Sequence, residues 1–246
     1  MKFGWQPWLI LGLALAARPL LVLYNSGKNL KRLYRCQSLL PGNFHHERLE
    51  RMVKEVVPLA GLQAPPEIMV APLNQPNIMV TGRGPGDALL VVTEEFFLVS
   101  FSDSELRAIV SHELAHLKRR DTASSALFTA FGLASTLSLF FSAPEPVTGI
   151  LVLLVSSFLV KQLLLIISRN NELLADALSA KWTGDPCALV SALEMLESWH
   201  ESSEQPFVGD FEVRLEKRWW QLEHPTLAVR SKALEKIAGE ACVSLR

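Results

Sequence analysis

The sequence predicts an α+β protein, mostly helical, with a small β-sheet and transmembrane helices. Three observations carry that prediction: long apolar runs almost free of charge, a group of short β-type runs, and helical periodicity on either side of them. The chain has 246 residues, enough for one well-buried domain. Hydrophobic residues make up 49% and the formal net charge is -1, so the global basic field that nucleic-acid binding relies on is missing and no nucleic-acid partner is expected. Cys36, Cys187 and Cys242 are odd in number, far apart and in no CxxC spacing. They read as buried or incidental thiols, and neither a disulfide framework nor a thiolate metal site is expected.

The apolar runs each approach the roughly 20 residues that a helix needs to cross a bilayer core. The first covers residues 3–24 and is interrupted by Arg18 and Pro19. Ala14, Ala16 and Ala17 can imitate a signal-peptide cleavage site, but apolar sequence resumes at Leu20 and continues to Tyr24, which favours an uncleaved anchor. The second run, residues 122–143, has no charged residue, and the third, residues 147–167, contains only Lys161, whose long side chain can snorkel toward headgroups. Pro144, Glu145 and Pro146 join these two runs tightly. A transmembrane hairpin is therefore expected, the alternative being a pair of buried helices in a soluble domain. The resulting organisation is an N-terminal membrane anchor over residues 1–26, a polar domain over 27–121 and 168–246, and the hairpin at 122–167 inserted within it.

Charge orients this arrangement. Lys28, Lys31, Arg32 and Arg35 follow the first run, Lys118, Arg119 and Arg120 precede the second, and Arg169 follows the third, whereas the hairpin tip offers only Glu145. Under the positive-inside rule the polar domain faces the cytoplasm and the N-terminus lies outside, with Lys2 mildly opposing.

Within the polar part, residues 45–59 mix charge and apolar positions as a helix does, and residues 61–66 end it. Three β-type runs follow at 67–71, 77–81 and 89–93, with glycines, Pro85 and Asp87 between the last two. Ser102 with Glu105 forms a capping-box signature, and Leu106, Ile109, Val110, Leu114 and Leu117 then recur at helical spacing. Beyond the hairpin, residues 171–182 read as a helix closed by Gly184, residues 188–200 as another, 201–210 as a mobile loop, and 227–238 as a last helix capped by Thr226.

The chemistry is concentrated in His112-Glu113-Leu114-Ala115-His116. Two histidines four apart project from one helical face and can bind one zinc ion, with Glu113 beside them to handle a water molecule. The plainer reading is a solvated helix face that happens to carry two histidines. A catalytic zinc needs a third protein ligand and an open fourth position. Glu172 and Asp176 also sit four apart, so one carboxylate can bind metal while the other holds a histidine ring nitrogen. Taken alone, they could equally be a surface pair on an ordinary helix. Hairpin topology favours the metal reading: His116 lies about 9 Å of helix before the second apolar run and Glu172 a similar distance beyond the third, so a membrane crossing returns Glu172 to the depth of His116.

Residues 76–82, Pro-Asn-Ile-Met-Val-Thr-Gly, look like an Asn-Ala-Phe-Ala-Thr-Gly strand; residues 103–121 carry the HExxH helix and a following basic-Asp step; residues 171–176 match a Glu-x-x-Ala-Asp element; and His224-Pro225 with Arg230 matches a late His-Pro motif. In this order the motifs resemble the HtpX-like membrane zinc metalloproteases, related to the CAAX prenyl proteases. The chain departs from that pattern in showing one apolar run before the catalytic helix where the family has two, and in placing Ile78 and Met79 where the family has Ala-Phe.

The resemblance implies a zincin-like (gluzincin) metallopeptidase domain holding one zinc per chain through His112, His116 and Glu172, with Glu113 as general base. It further implies that Asp176 orients a liganding histidine, that the strand bearing Asn77 borders the substrate cleft, that His224 donates to the oxyanion, and that Arg230 holds that late segment. For His224 and Arg230, simple capping and packing remain alternatives. The implied partners are polypeptide substrates, membrane proteins among them, and the lipid bilayer. The implied setting is a multi-pass protein of a bacterial cell membrane, acting in membrane-protein quality control. The rival reading is a catalytically silent membrane scaffold or regulator that keeps the protease fold.

Overall fold

Strand pairing explains why residues 89–93 begin with an unbroken apolar run, Leu89 to Val92. In a computed structural model that describes residues 6–202, 224–239 and 242, they form the central strand of a four-stranded sheet, in the order β1-β2-β4-β3. Here β1 is Gln37–Ser38, β2 Glu67–Ala71, β3 Ile78–Thr81 and β4 Leu89–Thr93. The pair β2–β4 is parallel, and β3 pairs antiparallel with β4 at the sheet edge. Both faces of β4 are covered, as a continuous apolar strand requires. Leu90 and Val92 point into the main core, while Leu89 and Val91 pack with Met69 and Ala71 against Leu30 and Tyr34. Leu30 belongs to α2 (Ser26–Leu33), a helix where the sequence analysis noted only basic residues after the first apolar run, and β1 is likewise additional.

The main core lies between the other face of the sheet, α3 (Phe44–Leu59) and α4 (Asp103–Arg119), and extends to Leu189 and Leu234 on α7 (Pro186–Ser202) and α8 (Leu227–Ala238). The Ser102 signature folds as expected: Ser102 Oγ accepts from Glu105 N at 3.3 Å and Glu105 Oε2 accepts from Ser102 N at 2.7 Å. At its other end α4 stops at Arg120, a non-glycine residue with φ of +57°, and α5 (Asp121–Phe141) begins at once.

α5 and α6 (Pro146–Thr183) are long and apolar enough to cross a membrane. At 1.5 Å per residue the 21-residue α5 is about 31 Å long, the thickness of a bilayer core. The two helices approach so closely at Gly132 that a Cβ there would lie 2.5 Å from Val160 Cγ1. Facing outward are Phe128, Phe131, Leu154, Phe158, Leu159 and Ile166. Alongside them α1 (Gln6–Tyr24) packs on α5 and stays helical through Arg18 and Pro19.

Several expectations are corrected. Residues 147–167 and 171–182 are not separate helices: α6 is one helix of 38 residues, because no glycine or proline stands between Ile167 and Asn171 to break it, and it closes on Gly184 in the left-handed conformation. The site-bearing part thus continues directly from the apolar part. Cys187 and Cys242 are not isolated thiols but form a disulfide with a Cα–Cα distance of 5.1 Å; folding brings together residues whose 55-residue separation gave no sign of it. Thr226 occupies the N-cap of α8, yet its side chain makes no capping hydrogen bond. The loop expected at 201–210 lies outside the described residues from 203 onward, while α7 runs on to Ser202.

Candidate metal centre

The spacing of His112 and His116 on α4 stacks their rings edge to face, with centroids 4.7 Å apart and planes at 86°. Their Nε2 atoms face each other at 3.1 Å. From α6, the Glu172 carboxylate bridges the two: Oε2 lies 3.5 Å from His112 Nε2 and Oε1 lies 3.4 Å from His116 Nε2. These three side chains are the one group among the described residues whose donor atoms converge as a metal ligand set, all within 4.8 Å of one another.

The opposite ring nitrogens fix the ring orientations. His112 Nδ1 is 2.9 Å from Asp176 Oδ1, and His116 Nδ1 is 2.9 Å from Asp121 Oδ2. An ionised carboxylate only accepts, so each Nδ1 carries its hydrogen and each Nε2 is the nitrogen left facing the point where the three side chains meet. A cation that displaces the remaining Nε2 proton would be coordinated there, and two imidazoles plus one carboxylate are the donors a catalytic zinc takes.

Behind this set, Arg230 on α8 grips Asp176 with a fork: Nε donates to Oδ2 at 2.8 Å and Nη2 to Oδ1 at 2.6 Å. Its Nη1 is 3.6 Å from Glu172 Oε2, and His224 Nδ1 lies 3.0 Å from the same oxygen. The late His-Pro segment and Arg230 are therefore brought to the metal centre. His112, Glu172, Asp176 and Arg230 are all buried.

Burial disfavours charge, but the pairing overrides it. Burial would lower the pKa of His112, yet hydrogen bonds to Asp176 and Glu172 hold it up to about 10. Burial would raise Asp176, but Arg230 and His112 bring it down to about 2, and Glu172 is held far below the ordinary carboxylate range by His112 and His224. Without metal, the anionic set keeps a proton on His112. Glu113 behaves differently: burial pushes its carboxyl above the usual glutamate range, with His112 and His116 opposing. That suits a group that must take up and release a proton.

Asn77 stands immediately before β3, with its N–H donating to Thr93 Oγ1 at 2.8 Å and its carbonyl accepting from Thr93 N at 2.9 Å. Its backbone is thus turned toward β4, and β3 lies on the open sheet edge beside α4. The sequence reading included Asp121, Arg119 and Asn171 in its motifs but gave none of them a role at the site. Arg119 Nε donates to Asp121 Oδ2 at 3.2 Å and Nη2 to Asn171 Oδ1 at 2.8 Å. The available signal was an aspartate five residues after His116, directly behind a basic pair.

Comparison with known proteins accords with this geometry. The profile of peptidase family M48 matches residues 43–238. A "Protease HtpX homolog" of Acidiphilium cryptum is 35% identical over 162 residues, covering 61% of this chain and 56% of the relative. Another, of Gemmatimonas aurantiaca, is 30% identical over 254 aligned residues, covering 94% of this chain and 89% of the relative. The chain thus spans just over half the length of the first relative and most of the second. Among solved structures, the crystal structure of S. mikatae Ste24p superposes with a TM-score of 0.57 at 18% identity, over 95% of this chain and 58% of that one, a likeness of fold. With most of its length matched by the family profile, the chain belongs to peptidase family M48.

Proposed function

We propose that this protein is a membrane-bound zinc-dependent endopeptidase in which His112, His116 and Glu172 hold one zinc ion. The observation that carries this reading is the convergence of two histidine Nε2 atoms and a carboxylate on one point, each histidine fixed from behind by an aspartate. When bound there, zinc lowers the pKa of a water molecule toward about 7 and polarises the scissile carbonyl. Glu113 takes the proton from the attacking water and passes it to the leaving amine. His224 donates to the oxyanion, a role its place beside Glu172 supports. Asp176, held by Arg230, keeps His112 in the liganding orientation.

The free edge of β3 takes the substrate. Asn77 pairs with Thr93, so by antiparallel alternation the main-chain groups of Ile78 and Val80 face away from β4, and an extended peptide pairs with them. The substrates are polypeptides, membrane proteins among them, cut in membrane quality control. The chain divides as anchor 1–26, hairpin 122–167 and peptidase domain 27–121 with 168–246, the last facing the cytoplasm of a bacterial cell.

Detergent-purified protein tests the reading by its zinc content and its cleavage of casein, alone, with a zinc chelator, and as Glu113→Gln. The expected result is one zinc in both proteins and cleavage only by the wild type, abolished by the chelator. Zinc-loaded wild type that cleaves neither casein nor a membrane-protein reporter overturns the protease and leaves a silent scaffold.

A further inference from the structure

The geometry points to Asp121, braced by Arg119, as the residue that positions His116 for the metal. This inference rests on the metal reading above and adds to it a second support of the same design as the first. His112 Nδ1 meets Asp176 at 2.9 Å, and Asp176 is held by Arg230; His116 Nδ1 meets Asp121 at 2.9 Å, and Asp121 is held by Arg119. Each histidine thus has its own carboxylate and each carboxylate its own guanidinium. Asp121 is 8% exposed, so its charge has lost most of its water and depends on these partners.

A plainer role is available to Asp121. It is the first residue of α5, where any acidic side chain is favoured by the helix dipole. That role asks for an anion near the helix N-terminus and nothing more. It does not ask for a carboxylate in contact with the preceding helix, nor for a helix break at a left-handed Arg120, a conformation that side chains with a Cβ rarely adopt. At this break Asp121 Oδ2 lies 2.9 Å from His116 Nδ1 and is largely shielded from solvent. Left-handed non-glycine residues gather at functional sites because the local cost is held there by surrounding structure.

Arg119 extends the support to the third ligand. It donates both to Asp121 and to Asn171 Oδ1, and Asn171 immediately precedes Glu172. A single guanidinium therefore ties the aspartate behind His116 to the helix that delivers Glu172. Asp121 opens α5 and Asn171 follows the apolar part of α6, so both legs of the apolar hairpin are joined to the metal centre at the point where they leave it. The alignment of the ligands and the seating of the hairpin become one structural unit.

The test compares wild type, Asp121→Asn, Asp121→Ala and Arg119→Gln, purified in detergent. Zinc affinity is read by competition with a chromogenic chelator, ligand geometry by the visible absorption of the cobalt-substituted proteins, and folding by thermal unfolding of the metal-free forms. Loss of such a supporting partner typically costs 10- to 100-fold in metal affinity. Asp121→Ala is expected near the upper end with a shifted cobalt spectrum. Asp121→Asn, which still accepts from Nδ1–H and still suits a helix start, is expected near tenfold with an unchanged metal-free melting temperature. Arg119→Gln falls between wild type and Asp121→Asn. If wild type binds one zinc and Asp121→Asn matches it in affinity and cobalt spectrum, Asp121 only starts α5 and the inference is overturned. If wild type itself binds no zinc, the metal reading fails first. Should Asp121→Ala not fold, Asp121→Asn alone decides.

Discussion

Arg230 is the side chain on which the centre leans most heavily from outside the ligand set. It is buried, its fork is engaged with Asp176, and Asp176 is buried more deeply still. Removing one partner of such a buried pair typically costs about 3–5 kcal/mol, and Asp176 would be left with His112 alone beside it. Arg230→Met is therefore expected to lower the melting temperature of the metal-free protein by on the order of 10 °C. It should weaken zinc binding as well, because Asp176 then holds His112 less firmly. Arg230→Lys keeps the charge but cannot make two parallel hydrogen bonds, and is expected to lie between the two. A melting temperature unchanged in both variants would show that Asp176 finds its stabilisation elsewhere. At this scale the spacing of His112, Glu113 and His116 was legible because helical periodicity alone places them on one face. Glu172 needed the topology of the hairpin. Asp121 was visible as part of a motif, but its contact with His116 was not, since it follows a left-handed Arg120 that no residue type announces. The Cys187–Cys242 pair was hidden for a similar reason: contact across 55 residues belongs to the packed fold, not to the local sequence.

Among the elements, α4 and the α5–α6 pair show what fixes helix position in the two halves of the molecule. The capping box at Ser102 satisfies one donor at the helix start and one just before it, so α4 begins at a defined residue and its register carries His112 and His116. Ser102→Ala is expected to lower stability by about 0.5–2 kcal/mol. Peptide cleavage measured well below the melting temperature should hardly change, because the core contacts of Leu106, Ile109 and Val110 keep the register. Between α5 and α6 the determinant is size. A methyl group at Gly132 would meet Val160 Cγ1 at 2.5 Å, a separation no real contact sustains. Gly132→Ala should cost about 1–3 kcal/mol by overpacking, and Val160→Ala introduced with it should recover most of that loss. If the double variant melts no higher than Gly132→Ala, the two helices meet elsewhere. The strands were readable because β-branched runs were bounded by turn residues. The break expected between the third apolar run and residue 171 was wrong because a change from apolar to polar composition does not end a helix; only a glycine, a proline or a lost hydrogen bond does.

For the whole molecule, the continuity of α6 sets where the chemistry takes place. The helix is about 57 Å long, and its apolar part, about 31 Å, ends only about 8 Å before Glu172. A bilayer around α5 and α6 therefore has the metal centre close to its surface, within reach of polypeptide emerging from the membrane. Two features bear on which surface this is, and they point in opposite directions. Under the positive-inside rule the basic residues from Lys28 to Arg35, at 118–120 and at Arg169 favour the proposed cytoplasmic placement of the peptidase domain. The Cys187–Cys242 disulfide lies in that same domain, and disulfides persist in oxidising compartments. The proposed orientation rests on eight basic side chains against a lone Glu145 at the tip, and it requires that the two sulfurs stand together as thiols in a reducing cytoplasm. The prediction follows for a cysteine-free background, with Cys36, Cys187 and Cys242 all changed to Ser. A single cysteine introduced as Glu145→Cys is labelled by a membrane-impermeant maleimide on intact spheroplasts, whereas Lys54→Cys, on the exposed face of α3, is labelled only after lysis. The reverse pattern would put the domain on the oxidising side and make the disulfide part of the working enzyme. Equal labelling of the two positions before lysis would mean that the hairpin does not cross, and Glu172 would then reach His116 through folding in water alone.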